Sequence, residues 1–463
     1  MRSVALILAA GEGTRMKSAL PKVLHPLLGA PMLHHVVRCA LEAGVDQAVV
    51  VVGHGAERVE ASLAAAFGAR VTTALQPVRR GTGDAAARGL AAVAEGPGTA
   101  VVLYGDTPLL RAEDVAALLE AGRGGAPLAM LTTTIDEPRG YGRILRDASG
   151  AVVGIREEKD CSPEERALRE VNPGVYAFDL GFLREALPAL KPNNQQGEYY
   201  LTDTVALAAA RGRVESREAD VHSLLGVNDR TQLAEAERIL LHRLCERWRK
   251  AGVTIRDGVR LDATVELEAD VTLEAGAVLR GATRVASGAL VDVGCVLTDA
   301  QIEAGAVLKP YSVVTQSKVG KGAQIGPFAH LRPGSAIGDE AHVGNFVETK
   351  NTTLGRGAKA NHLAYLGDGD VGEGANVGAG TIFCNYDGFR KHRTTIGARA
   401  FIGSDSQLVA PVSVGEGAYV GTGTTVTEDV PADALAIGRA RQQNKAGYAA
   451  KLRERLGRRP PTK

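Results

Sequence analysis

Aromatic side chains are scarce in this chain: 8 Phe, 10 Tyr and 1 Trp make up 4% of 463 residues. A core with so few rings must be filled by small aliphatic groups. Excess charge of either sign is also missing, since 54 Lys and Arg balance 53 Asp and Glu to a net charge of +1. That excludes a global field for nucleic acid or for an anionic membrane surface. The five cysteines, Cys39, Cys161, Cys245, Cys295 and Cys384, are scattered, odd in number and free of any C-x-x-C pair. Their pattern points away from a disulfide framework and a zinc site, toward reduced thiols in a cytoplasmic protein. No apolar run has the length that spans a bilayer. Residues 1–10 are apolar, but they carry one positive charge and run straight into a glycine loop. They read as a buried first strand rather than a secretory signal.

What is present is a period of six in the second half. From Val319, small aliphatic residues recur at Ile325, Leu331, Ile337 and Val343. After a break they resume at Ile396, Ile402, Leu408, Val414, Val420 and Val426. Six matches neither the 3.6 of a helix nor the alternation of a single strand. It is the hexapeptide repeat of a parallel β-helix, in which three short strands close a triangular coil and coils stack into a prism. The prism is expected over 253–437, with about ten coils. One polar, basic loop over 384–395 is expected to interrupt it, and a loop presented by a rigid scaffold is a place for function. Beyond the prism, 438–463 is a basic tail containing Arg441, Lys445, Lys451, Arg453, Arg455, Arg458, Arg459 and Lys463, which reads as a solvated surface.

The first half, 1–227, alternates strands with helices. Apolar runs at 4–8, 48–52 and 100–103 suit a buried parallel sheet. Helical patterns lie between them at 32–43, 57–66 and 84–94. This predicts a doubly wound α/β domain with ligands outside the carboxyl ends of its strands. A helix over 228–252 then links the halves, with Leu233, Ala236, Leu240, Leu244 and Trp248 at helical spacing and N-capping residues at Asn228–Thr231. Trp248 reads as a packing anchor.

The first strand ends in Leu8-Ala9-Ala10-Gly11-Glu12-Gly13-Thr14-Arg15-Met16, followed by Pro21-Lys22. Gly11 and Gly13 permit a tight turn and close approach to a phosphate chain, and Arg15 and Lys22 add positive charge there. The loop has neither the P-loop spacing nor the dinucleotide fingerprint. The full string closely resembles the signature of sugar nucleotidyltransferases. Gln76 with Gly81-Thr82-Gly83 resembles their base-reading segment, where a side-chain amide can face a uracil edge. The strand end Tyr104-Gly105-Asp106 places a carboxylate where a magnesium ligand would lie, although an aspartate there is equally common as a cap or turn residue. Gly140-Tyr141-Gly142-Arg143, Glu157, Asn172, Gly174 and the string 197–203 resemble the sugar-binding segments. Asn228 resembles the second magnesium ligand.

In the prism, Arg332, Lys350, His362, Tyr365, Asn376, Asn385 and Tyr386 fall on successive coils near the inserted loop. A lone histidine is usually structural or merely exposed. His362 neighbours basic residues suited to a sugar phosphate, and a neutral imidazole can take the proton released when an amine attacks a thioester.

Together the two halves resemble the bacterial bifunctional UDP-N-acetylglucosamine pyrophosphorylase / glucosamine-1-phosphate N-acetyltransferase family, over nearly the whole chain. The resemblance implies a left-handed β-helix and a homotrimer packed through it, with no nucleic-acid or membrane partner. It implies Mg²⁺ as cofactor and acetyl-CoA and UTP as co-substrates. The product would serve cell-wall and lipopolysaccharide synthesis. By the same resemblance Leu8, Ala9, Ala10, Gly11, Lys22, Gln76, Gly81, Thr82, Tyr104, Gly105, Asp106, Gly142, Glu157, Asn172 and Asn228 contact the nucleotide sugar. Arg15 and Lys22 act on the phosphates, and Asp106 and Asn228 bind the metal. Arg332, Lys350, Tyr365 and Asn376 hold glucosamine 1-phosphate, with His362 as the base. Ala379, Asn385, Tyr386, Ser404, Thr422 and Arg439 contact acetyl-CoA. The family often has alanine where Thr422 stands and glycine where Asn361 stands. Two other readings share the architecture: a single-activity pyrophosphorylase with a regulatory prism, and a non-catalytic assembly subunit. The His362 constellation argues against the first, and Arg15, Lys22 and Asp106 against the second.

Overall fold

The computed structural model describes residues 2–457. They form two compact units that divide between Glu246 and Arg247. Among the described residues, no helix is long and apolar enough to cross a membrane.

The first unit is built on a ten-stranded sheet. Its centre is a parallel run in the order Val71–Leu75, Gln47–Val52, Arg2–Leu8, Gly98–Tyr104. Successive side chains on these strands enter opposite layers. Leu6, Val49 and Val102 join one core, and Ile7, Val50 and Leu103 join the other. Both faces are covered, which is why these strands read as continuous apolar runs. Helices Met32–Glu42, Ala56–Phe67 and Ala112–Arg123 send Leu33, Leu63 and Leu118 into one layer; Thr82–Ala91 and Leu180–Ala189 send Leu90 and Leu183 into the other.

The sheet is mixed rather than parallel throughout. Tyr176–Asp179 lies antiparallel to both Gly98–Tyr104 and Leu128–Thr134, and the sheet continues through Glu170–Asn172, Gly142–Arg146 and Val152–Arg156. The turn at Asp147–Ala151 is too short for a crossover, so its two strands can pair only antiparallel.

The helix Arg230–Lys250 begins where the sequence places a cap: Asp229 Oδ1 accepts the Gln232 amide at 2.9 Å. In the first unit, its Leu233, Ala236 and Leu240 pack with Leu27, Met32 and Leu109. In the second unit, Trp248 lies beside Leu267 and Val285, with the Arg247 guanidinium 4.7 Å from its ring centre.

The second unit is the stack of coils. Short strands run from Thr254–Ile255 to Leu435–Ala436 and pair in parallel with the coils before and after. The inward side chains Leu273, Val291, Leu308, Ile325 and Val343 are fully buried. The frame is less regular than the expected single interruption. Leu273 follows Ile255 by 18 residues, but Ile325 follows Leu308 by 17, and Ile402 follows Val377 by 25. The long coil carries the inserted loop. The short ones arise at one corner, where Asp299, Gln316, Asn351 and Asp368 turn with φ of +50°, +44°, +48° and +52°. A left-handed residue there lets one side of the triangle close in five residues instead of six, as from Leu366 to Val371. This explains the break in the period after Val343. The inward residues across it are Thr349, Leu354, Ala360, Leu366, Val371, Val377 and Phe383, all at most 3% exposed. Inward Thr349 is satisfied by a 2.8 Å hydrogen bond to Ser335 Oγ.

After the last coil, Arg441, Lys445, Lys451, Arg453 and Arg455 are exposed, and the helix Tyr448–Gly457 buries no side chain. Arg458, Arg459 and Lys463 lie outside the described residues.

Adjacent residues on one strand test the inward assignment. Leu331 is fully buried, whereas His330 is exposed. Leu331→Ala is expected to destabilise the prism by about 2–5 kcal/mol, and His330→Ala by about 0.5 kcal/mol or less, as read from the shift in denaturant midpoint.

Candidate functional site

Two clusters of chemically capable residues stand out, one in each unit. The first lies at the carboxyl ends of the central parallel strands. Ala9 N–H donates to Val51 O at 2.9 Å, and Gly105 N–H to Leu8 O at 2.9 Å, so the three strand ends open side by side. The loop leaving Leu8 turns at Gly13 with φ +64°. A Cβ there would strike the Lys22 side chain, so the glycine keeps Lys22 in place. Lys22 Nζ donates to the Asp106 carboxylate and to Asn228 Oδ1 at 3.2 Å. Arg15 also donates to Asn228 Oδ1, at 2.8 Å. Val227 N–H donates to Asp106 O at 2.8 Å, which brings Asn228 beside Asp106 across more than a hundred residues of chain.

These groups border a cavity of about 450 Å³ walled by Leu8, Ala9, Ala10, Gly11, Lys22, Gln76, Gly81, Thr82, Tyr104 and Asp106. The volume is within the ordinary range for small-molecule sites. Glu198, of the 197–203 string, also lines it, as does Arg79, which was not singled out from sequence and pairs with Glu12 at 3.0 Å. The segment at 197–203 braces this wall. Tyr199 O accepts Gly83 N–H at 2.8 Å, Tyr199 N–H donates to Arg80 O at 2.8 Å, and Thr82 Oγ1 accepts Leu201 N–H at 3.0 Å.

Gly142, Glu157 and Asn172 form a neighbouring group. Asn172 pairs with Gly142 across the sheet, and a Cβ on Gly142 would come 3.6 Å from Glu157 Cδ. Glu157 Oε1 accepts the Thr202 hydroxyl at 3.1 Å. Burial raises the Glu157 carboxyl above its usual range despite that bond. Asn172 Oδ1 accepts Gly174 N–H at 3.0 Å, and Gly174 lies so close to the Tyr104 ring that no side chain would fit. Tyr104 thus connects the group to the cavity. A larger depression of about 760 Å³ lies at the opposite end of the sheet, beside Gly124, Pro127, Phe182 and Arg211. Its arginines are already paired, Arg211 with Glu185 and Arg213 with Glu215, so it offers less chemistry than the smaller cavity.

Asp106 and Asn228 suit a hard divalent cation. Their oxygens converge closely enough to share one ammonium group. Two protein oxygens, one of them anionic, match the way Mg²⁺ is held beside phosphates, with water and substrate completing the octahedron.

The second cluster spans one face and one corner of the prism. On the face, Arg332 donates to Glu348 at 2.7 Å, and Lys350 Nζ lies 3.7 Å from Asp368. Asp368 is the hub. It accepts Asn351 Nδ2 at 2.9 Å and Asn385 Nδ2 at 2.6 Å. Burial opposes its charge, but the two amides and Lys350 outweigh burial and hold its carboxyl below the ordinary range. Gly367 lies beneath the Tyr365 hydroxyl and Asn385 Nδ2, and a Cβ there would displace both.

At the adjoining corner, His362, Ala379, Ser404 and Thr422 follow one another down successive coils. Leu363 N–H donates to Asn345 O at 2.9 Å, Gly380 to His362 O at 3.2 Å, Asp405 to Ala379 O at 2.7 Å and Gly423 to Ser404 O at 2.9 Å. Arg439 then donates to Thr422 O at 2.6 Å. Asn361 precedes His362 in the same strand, Lys359–His362. His362 is exposed, and its side chain makes no hydrogen bond among the described residues. Asn376 is on the flat face around the corner, in register with Lys359 and Phe401.

The inserted loop is a compact, self-bonded hairpin. His392 N–H donates to Asn385 O at 2.8 Å. Asp387 accepts the Phe389 and Arg390 amides at 2.7 and 2.6 Å and pairs with His392 at 2.6 Å. The Arg390 amide and then His392 depress the Asp387 carboxyl to about 2. Arg393 clamps Asp370 with two bonds of 2.5 and 2.6 Å. Tyr386 and Phe389 project outward, 60% and 92% exposed.

Sequence reasoning missed Asp368 and Glu348. The signal for Asp368 is its place, 17 residues before Asn385, one coil up.

Residues 5–170 match the model of the MobA-like NTP transferase domain. Residues 317–351 match the bacterial transferase hexapeptide, and 393–428 the hexapeptide repeat of succinyl-transferase. Full-length relatives are named bifunctional protein GlmU. One from Sorangium cellulosum is 62% identical over 458 residues, covering 98% of this chain and 97% of the relative. One from Anaeromyxobacter sp. is 51% identical, covering 96% and 92%. One from Trichlorobacter lovleyi is 47% identical, covering 98% and 99%. With a nucleotidyltransferase half and a hexapeptide-repeat half matched along almost its entire length, the chain belongs to the GlmU family of bifunctional transferases.

Proposed function

We propose that each half of the chain carries one of two consecutive reactions. The enzyme acetylates glucosamine 1-phosphate with acetyl-CoA, then joins the product to UMP from UTP, releasing pyrophosphate and forming UDP-N-acetylglucosamine. On this reading 1–227 is the uridylyltransferase domain, 228–252 the linker helix, 253–437 the acetyltransferase and 438–463 a tail, in a cytoplasmic protein. The observation that carries the reading is the convergence of Arg15, Lys22, Asp106 and Asn228 at the mouth of the strand-end cavity.

In the acetyl step, the sugar amine attacks the thioester carbonyl, the carbon–sulfur bond breaks and CoA leaves as the thiol. His362, exposed and unengaged, takes the proton from nitrogen. Arg332 and Lys350 face the sugar phosphate with Tyr365 and Asn376. The corner row Ala379, Ser404 and Thr422, ending at Arg439, gives acetyl-CoA a straight edge, with Asn385 and Tyr386 beside it. Asp368 is a positioning residue that orients Asn385 and Lys350.

In the uridylyl step, a phosphate oxygen of N-acetylglucosamine 1-phosphate attacks the α-phosphorus, and the bond to the bridging oxygen of pyrophosphate breaks. Arg15 and Lys22 stabilise charge on the phosphates, and the Gly11 loop lets them approach the backbone. Asp106 and Asn228 would hold Mg²⁺, which when bound neutralises phosphate charge and helps orient the leaving group. Glu157 and Asn172 hydrogen-bond the sugar.

Separate sites predict separable losses. His362→Ala should slow CoA release from acetyl-CoA and glucosamine 1-phosphate by about 10²–10⁴-fold and leave pyrophosphate release from UTP and N-acetylglucosamine 1-phosphate nearly unchanged. Asp106→Ala should abolish pyrophosphate release and leave CoA release intact. Equal loss of both activities in either variant would refute the assignment.

The acetyl cluster stands on an open face and corner, so one prism does not enclose two substrates. The reading therefore includes a homotrimer packed through the β-helix, with the 384–395 loop reaching a neighbouring subunit's His362. Full-length chain should run as a trimer by light scattering. Mixing His362→Ala chains with Asn385→Ala chains should restore part of the acetyl transfer. A full-length monomer with full acetyl transfer would contradict the shared site.

A further inference from the structure

The base-facing side chain of the strand-end cavity, Gln76, is held in one orientation by a residue with no assigned role. Gln76 is 5% exposed and lines the cavity. Its Nε2 donates to Gly81 O at 3.1 Å and to Asp84 Oδ2 at 2.8 Å. Both partners are acceptors only. Turning the amide over would set its oxygen against a carbonyl and a carboxylate at once. The chemistry of the partners therefore fixes which end is nitrogen. Both N–H donors are occupied, and the amide is left with Oε1, an acceptor, for the cavity.

Asp84 has an ordinary alternative role. It sits in the first turn of helix Thr82–Ala91, where an acidic residue complements the helix dipole, and Arg88 lies 3.7 Å from its other oxygen one turn on. That role needs no bond to Gln76. The 2.8 Å bond is made to Gln76 in the cavity wall, and the Asp84 side chain is only 15% exposed.

We propose that Asp84 is a specificity-determining positioning residue. By locking the Gln76 amide with Oε1 toward the base, it selects a pyrimidine that presents a ring N–H. Uracil carries a hydrogen on N3 and can donate to Oε1. Cytosine has a bare N3 and would set acceptor against acceptor, leaving a buried polar group unpaired. The inference rests on the reading of this cavity as the UTP site.

The test compares kcat/KM for UTP and CTP, by pyrophosphate release with N-acetylglucosamine 1-phosphate and Mg²⁺, in wild type, Asp84→Ala and Asp84→Asn. Asp84→Ala should lower the UTP:CTP ratio about tenfold or more, the scale of one hydrogen bond of about 1.4 kcal/mol. Asp84→Asn keeps an amide oxygen that can accept from Gln76 Nε2 and leaves the bond to Gly81 O intact, so it should keep much of the ratio. A purely structural role would lower both nucleotides alike and leave the ratio unchanged in Asp84→Ala, which would overturn the proposal. Failure of Asp84→Asn to exceed Asp84→Ala in ratio would overturn it too. A wild-type chain that does not prefer UTP would instead overturn the reading of the cavity.

Discussion

A single coil of this prism cannot keep its inward side chains from water; only the coil above and the coil below can. This constraint governs the second half of the molecule. Stacking buries one aliphatic group per side per coil and pairs each short strand with two neighbours. It also copies every outward position into a vertical row. His362, Ala379, Ser404 and Thr422 are distant in sequence and adjacent in space because the backbone ladder carries them there. A prism with rows of outward positions supplies straight edges and flat faces, which suits a long ligand such as acetyl-CoA better than a deep cavity would.

The first half meets a different constraint. Its strands are buried on both faces, so chemistry is confined to their ends. Leu8, Val51 and Tyr104 stand at the same level, and the loops beyond them must turn tightly to return to the helices. Gly13 performs the turn and seats Lys22, and the contact between Val227 and Asp106 recovers Asn228 from the far end of the domain. The result is a ring of donors and carboxylate oxygen around a cavity of a size suited to a nucleotide.

Much of this was legible in sequence, for identifiable reasons. The apolar runs around residues 4–8, 48–52 and 100–103 read as buried strands because nothing polar interrupts them. The six-residue period exposed the prism because most inward positions carry an aliphatic group, with Thr349 and Phe383 among the exceptions. The mixed character of the sheet was harder to see, since it depends on the direction in which Tyr176–Asp179 enters the sheet and on a short turn at Asp147–Ala151 rather than on the apolar pattern. The five-residue sides were hidden because Asn351 and Asp368 look like ordinary turn residues until their φ is known. Asp368 was missed for the same reason, and its grip on Asn385 belongs to the stacked coils alone. Asp84 was disguised as a first-turn helix acid.

The two activities act in order: acetyl transfer prepares the sugar phosphate that nucleotidyl transfer consumes. The most direct measurement follows CoA thiol and pyrophosphate together, in wild-type enzyme given glucosamine 1-phosphate, UTP and Mg²⁺, with and without acetyl-CoA. That order predicts that CoA appears first, pyrophosphate follows after a lag to equal yield, and omitting acetyl-CoA suppresses pyrophosphate release. Pyrophosphate released from glucosamine 1-phosphate at full rate without acetyl-CoA would contradict it.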